Sequence, residues 1–353
     1  MLTKDEMTPM ERLTAFYEGR PYDRLPTNIF MSDNIAALID KKPRDIHLSA
    51  RLNTAAQVAA YNTYHMDAAV VLLGVAGASE VLGSTLEFPL ESTPFVTEYG
   101  VKSQEDIDRV EIPEFSKAGR YTMFFENIEM LLEAFGDEVP VDVCLSGPFT
   151  TAGNLYGTEN LMRALYTNPE FVHRLLRISL DAIMIFVQKA ATLDITFSVG
   201  EPTASGSLIN KKMFQDFAFP YLKELFGNIK SLNRRLSSLH ICGNTKKIWN
   251  EMVDAGADIL SLDERIDLFE AKKSIGSRAT LMGNVCPAEV MLLGTPETVD
   301  RAVKKCITDA YDNPRGYMLG LGCGLPKQTP PENIYAFYDA AWKYGKYPLQ
   351  NPV

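Results

Sequence analysis

The sequence predicts an α/β fold: a single (β/α)8 (TIM) barrel with an insertion after the second strand. Three observations predict it. Eight short apolar or alternating stretches read as strands. All but the second are followed promptly by a helical pattern, and such alternation argues for a parallel sheet. The length, 353 residues, suits one barrel with insertions. Hydrophobic content of 46% allows a large core. No internal repeat or low-complexity linker interrupts the chain, so residues 1–353 are expected to form one domain.

The elements follow in order. Thr8-Pro9-Met10-Glu11-Arg12 opens a helix: Thr8 can cap it, Pro9 fits the first turn and Glu11 takes the capping-box position. It is expected to stop near Gly19. Residues 27–31 read as the first strand, ending at Ser32 and Asp33, and a polar helical stretch follows. Residues 68–72 are continuously apolar, as expected of a strand buried on both faces. The pattern then breaks up to about residue 113, where β-like pieces at 85–88 and 95–99 mark the insertion. Residues 103–106 start another helix, and 121–135 form a long one. Strand three is 141–145, followed by Ser146-Gly147-Pro148-Phe149 and two helices, the second over 169–192. Strand four is 195–199, with Glu201-Pro202 at its end. One helix over 211–232 leads to the fifth strand, which carries His240. Residues 258–262 form strand six, ending at Asp263, and 279–284 form strand seven. Thr295 caps the next helix, 317–321 are the last strand, and Pro331 opens the final helix. Aromatic residues from Tyr335 to Trp342 recur at helical spacing, which fits either core or a homodimer face.

Net charge is -10, with no basic cluster. Nucleic acid and anionic membrane are therefore poor partners. The five cysteines are Cys144, Cys242, Cys286, Cys306 and Cys323. An odd number in a long chain argues against a disulfide framework. The first residues lack an apolar signal core, and no apolar run is long enough to span a bilayer. A soluble, cytoplasmic protein is expected.

The stretch with most chemistry is Leu239-His240-Ile241-Cys242-Gly243-Asn244. It ends a strand, and residues two apart on a strand face the same way. An imidazole and a thiolate aimed together make half of a zinc site. The best candidate for a further ligand is Cys323, in Leu319-Gly320-Leu321-Gly322-Cys323-Gly324, where glycines permit close backbone approach. The alternative is a hydrogen-bonded His240 beside small buried thiols. Glu201 and Asp263 also end strands. Each is either a structural carboxylate or a functional one. The functional reading makes Glu201 a fourth zinc ligand or a base for a thiol proton, and gives Asp263 a hydrogen bond that orients His240. Ser205 and Asn284 are candidate pocket walls. The glycines around Cys323 do not make a nucleotide loop, because Pro326 falls where its helix would begin. His47, His65 and His173 read as solvated or structural, and Cys144, Cys286 and Cys306 as packing residues, with Cys286 able to approach the site.

Several motifs together resemble the uroporphyrinogen decarboxylase superfamily, in its cobalamin-dependent methyltransferase branch. They are Thr8-Pro9-Met10-Glu11-Arg12 with Asp23-Arg24-Leu25-Pro26, Ser146-Gly147-Pro148-Phe149-Thr150, Glu201-Pro202-Thr203-Ala204-Ser205, His240-Ile241-Cys242-Gly243-Asn244 and Gly322-Cys323-Gly324. The resemblance implies zinc held by His240, Cys242 and Cys323. It also implies a methyl group supplied as methylcobamide on a separate corrinoid protein, and a thiol acceptor such as coenzyme M. The decarboxylase branch carries an Arg-Gln-Ala-Gly-Arg stretch where this chain has Phe30-Met31-Ser32-Asp33-Asn34, and Gly-His-Gly where it has Gly322-Cys323-Gly324. A metal-free decarboxylase and a non-catalytic corrinoid-protein partner are the competing readings.

Overall fold

The computed structural model describes residues 5–233 and 235–349. Ten strands are present among them: β1 (Thr27–Asn28), β2 (Ala69–Leu72), β3 (Thr85–Glu87), β4 (Phe95–Glu98), β5 (Val141–Ser146), β6 (Thr196–Gly200), β7 (Ser237–Ile241), β8 (Ile259–Leu262), β9 (Thr280–Val285) and β10 (Tyr317–Leu321). Eight of them form one parallel sheet in the order β1-β10-β9-β8-β7-β6-β5-β2, curled into a (β/α)8 barrel with helices outside. The other two, β3 and β4, pair antiparallel in the insertion after β2. No helix among the described residues is long and apolar enough to cross a membrane.

Local chemistry explains the elements. Thr8 Oγ1 accepts from the Glu11 N–H at 3.2 Å, and Glu11 Oε2 accepts from the Thr8 N–H at 2.8 Å, completing the capping box of the helix Pro9–Tyr17. The apolar run of β2 has Ala69, Val70 and Val71 buried. In the helix Pro331–Gly345, the aromatic face turns inward: Phe337 and Tyr338 are buried in the main core.

Two expectations change. The helix expected over 211–232 is interrupted by a π-helical turn, Phe214–Ala218, before it resumes as Phe219–Leu232. Pro220 lies at the junction; it has no N–H to donate and its ring crowds the preceding turn. The first strand pairs only over Thr27 and Asn28, against Leu319 and Gly320 of β10. No ladder joins β1 to β2 among the described residues. Asp67, just before β2, bridges that seam instead, accepting from both the N–H and the hydroxyl of Thr27 at 2.7 Å.

Asp67 is buried, and so are the cations that balance it. Arg12 Nη1 reaches Asp67 Oδ1 at 2.5 Å, and Arg24 Nη1 reaches Asp67 Oδ2 at 2.7 Å. Arg12 also grips Asp23 through two bonds of 2.6 Å. Burial alone would push the Asp67 carboxyl up, but Arg24 and Arg12 hold it below the usual carboxylate range.

Candidate metal centre

At the carboxyl end of the barrel, β7 delivers His240, the turn just after it delivers Cys242, and the turn after β10 delivers Cys323. One ligand atom from each lies within 4.8 Å of the other two. His240 Nε2 is 3.3 Å from Cys242 Sγ, and the two sulfurs are 4.0 Å apart. On the other side of the ring, His240 Nδ1 lies 3.2 Å from the Ser261 carbonyl and 3.1 Å from its hydroxyl. A carbonyl only accepts, so Nδ1 carries the proton and Nε2 presents its lone pair to the thiols. Cys323 is held low by hydrogen bonding from Cys242; Cys242 is pushed up by the same bond and by burial. Cys323 is exposed, so the cluster opens to solvent.

The remaining expected residues lie around this cluster in different roles. Asp263 does not touch His240: its Oδ2 accepts from the Gly243 N–H at 2.6 Å and its Oδ1 from the Arg265 N–H at 2.9 Å. Ser261 orients the imidazole in its place, because Ser261 is the residue that β8 sets directly beside His240. Asp263 shapes the turn after Cys242, where Gly243 adopts φ of 77°. Ser205 donates to the Cys242 carbonyl at 2.8 Å, fixing the same turn from the other side. Asn284 is buried, and its amide donates to the carbonyls of Asp263 at 2.9 Å and Ile266 at 2.7 Å. Glu201 is fully buried and stands outside the three-residue donor group. Its carboxylate sits on the N-terminus of the helix Pro148–Tyr156, accepting from Phe149 N–H at 3.1 Å and Thr150 N–H at 2.5 Å. Gly147 leaves it room, since a methyl group there would fall on Glu201 Oε2. Cys286 is half-buried and is not in the cluster.

The family profile described as uroporphyrinogen decarboxylase (URO-D) matches residues 8–344. The chain belongs to the uroporphyrinogen decarboxylase family. It is similar to the methylcobamide:CoM methyltransferase MtbA of Methanosarcina mazei, 27% identical over 344 residues that cover 96% of this chain and 99% of the relative. A methylcobamide:CoM methyltransferase MtaA of Methanosarcina barkeri is 26% identical, covering 96% and 99%. A uroporphyrinogen decarboxylase of Methylobacillus flagellatus is 25% identical, covering 84% of each chain. Among solved structures, a methyltransferase from Methanosarcina mazei shares the fold with a TM-score of 0.85 at 24% identity, over 96% of this chain and 99% of that one.

Within this uroporphyrinogen decarboxylase-family barrel, the donor set fits zinc. Tetrahedral zinc with ordinary Zn–S and Zn–N bonds places neighbouring ligand atoms about 3.6–3.8 Å apart. The 3.3 and 4.0 Å separations bracket that range. One carboxylate stands outside that donor group. Glu264 Oε2 is buried without a hydrogen-bond partner. It packs on Gly322, where a methyl group would fall on both Glu264 N and Oε2. The sequence singles out Asp263, the residue that follows the strand, and gives Glu264 no mark of its own. The signal for Glu264 was Gly322, which admits the chain of β8 close to Cys323.

Glu201 also makes a pH prediction. Burial pushes its carboxyl up to about 7 from an ordinary 4.5, against the opposing hydrogen bonds from Thr150 and Phe149. Between those values the folded chain keeps a proton that the unfolded chain releases. Stability should therefore fall as pH rises from about 4.5 to about 7 and level off above, by on the order of 3 kcal/mol. Urea midpoints of the native chain and Glu201→Gln across that window check this. The variant should lose the slope, and an unaltered slope would assign it to another group.

Proposed function

We propose that the chain is a zinc-dependent methyltransferase. It moves a methyl group from a methylcorrinoid, carried by a separate corrinoid protein, to a small-molecule thiol such as coenzyme M. The observation that carries this reading is the His240, Cys242 and Cys323 donor group at the open mouth of the barrel. It stands in a chain that is matched over nearly its whole length by methylcobamide:CoM methyltransferases.

When bound, zinc supplies a Lewis acid that keeps a thiol ionised at neutral pH, the form in which sulfur is a good nucleophile. The chain's own residues do the rest. Ser261 holds the His240 ring with its free lone pair outward. Asp263 and Ser205 fix the backbone on both sides of Cys242. Cys323 rides a solvent-exposed turn, leaving an approach for the acceptor. Glu264, whose carboxylate oxygen is buried without a partner, packs on Gly322 next to Cys323 but outside the three-residue donor group. Glu201 or Glu264 would take the proton that the incoming thiol releases. In the transfer, the sulfur lone pair forms the new S–CH3 bond, and the cobalt–carbon pair stays on the corrinoid.

X-ray absorption at the zinc edge tests this on zinc-loaded protein. Adding excess thiol should add one sulfur to the shell and remove one oxygen. An unchanged shell while the thiol is being methylated would make the metal structural. Carbon dioxide release from uroporphyrinogen, with no methyl transfer to any thiol, would favour the decarboxylase reading that relatives of that name support.

A further inference from the structure

The opposite end of the barrel holds a cavity of about 740 Å³, entered from the amino ends of the strands. Its size is that of a small-molecule site. In most (β/α)8 barrels this region is packed with branched aliphatic side chains. Here it is divided in two. On one wall, Asp142 of β5 accepts from the hydroxyls of Thr196 and Ser198 at 2.6 Å, and Ser198 in turn accepts from Ser238 at 2.8 Å. The opposite wall is apolar: Met282 of β9 and Met318 of β10 pack with Ile259 and Phe16 in a small cluster separate from the main core. Phe16 comes from the N-terminal helix and stands edge-to-face with Tyr22 at the entrance.

Asp142 is nine-tenths buried, yet no cation among the described residues compensates it. The rim carries Arg20, Arg235 and Arg315; Glu18 and Asp194 hold the first two at the surface, and none of the three pairs with Asp142. Burial accordingly pushes the Asp142 carboxyl up, against the two hydroxyl bonds. A carboxylate in this setting is costly unless a positive charge joins it. The surroundings narrow the choice of charge. A hard divalent metal needs several oxygen ligands, and thioethers and aromatic rings do not supply them. An anion would meet Asp142. A cation with an apolar body satisfies both walls: the carboxylate takes the charge, while polarizable methionines and aromatic rings take the body.

We propose that this chamber binds a small organic ammonium ion, with its charged head on Asp142 and its apolar body against Met282, Met318 and Phe16. The site is independent of the donor group at the other mouth, although Ser238 and His240 share one face of β7 and so lie one side-chain layer apart.

The test uses the full chain with 13C-methyl-labelled methionine, benzylammonium chloride as the probe and benzyl alcohol as its neutral counterpart. Met282→Leu and Met318→Leu assign the two resonances among the 14 methionines. Benzylammonium should shift these two saturably at millimolar concentration and leave the others in place. Benzyl alcohol should bind about tenfold more weakly, and Asp142→Asn should weaken benzylammonium by a similar factor. The comparison of the two probes on the native chain stands even if Asp142→Asn fails to fold. Absence of a saturable shift at Met282 and Met318, equal binding of both probes, or undiminished binding to a folded Asp142→Asn would each overturn the proposal.

Discussion

Alanine at Cys323 or Cys242 is expected to remove zinc and abolish methyl transfer while leaving the barrel folded. The reason is geometric. The donor group has three members, so loss of one leaves two, too few to hold the ion against water. Lewis-acid assistance is worth several kcal/mol of barrier, so the transfer rate should fall by about a thousandfold or more. Stability should barely change, because Cys323 is exposed and Cys242 half-buried, whereas the core that carries the fold lies between strands and helices. Metal analysis of purified protein, circular dichroism and a thiol methylation assay decide it together. Either variant retaining one zinc per chain would remove that residue from the ligand set.

Replacing Arg24 by alanine is expected to have the largest effect on stability, at the opposite end of the barrel from the metal centre. Arg24 is almost wholly buried and pairs with Asp67, which bridges β1 to β2 through Thr27. Its loss leaves Asp67 with one cation in place of two and opens contacts to Asp5 as well. Breaking a buried ion pair by removing one partner costs about 3–5 kcal/mol. At about 2.1 cal/mol/K per residue, the unfolding entropy is about 0.74 kcal/mol/K for this length, so Tm should drop by about 4–7 °C. Differential scanning calorimetry measures it. A drop within a degree of zero would mean that the seam is held by packing and backbone alone. The sign with pH also follows. The folded-state Asp67 carboxyl is lowered, so its stabilisation is present above the ordinary carboxylate range and is lost as pH falls through the lowered value.

Much of this molecule was determined by the sequence alone. Periodicity and turn residues marked all eight barrel strands and the hairpin after β2, because buried parallel strands read as short apolar runs whatever surrounds them. The capping box at Thr8 and Glu11 was legible for the same reason: its hydrogen bonds span three residues. His240 and Cys242 were legible as a pair through the two-residue period of one strand. Tertiary structure decided what depends on neighbours far apart in the chain. It gave the His240 ring to Ser261 instead of Asp263, because register between β7 and β8 is a property of the sheet. It tied Glu201 to a helix N-terminus at Phe149 and Thr150, and brought Glu264 to Gly322 beside Cys323. It also gathered Asp142, Ser198 and Ser238 from three strands onto one wall of a chamber that no local pattern marks. Local periodicity says which face a side chain takes; only closure of the barrel says which other side chains that face will meet.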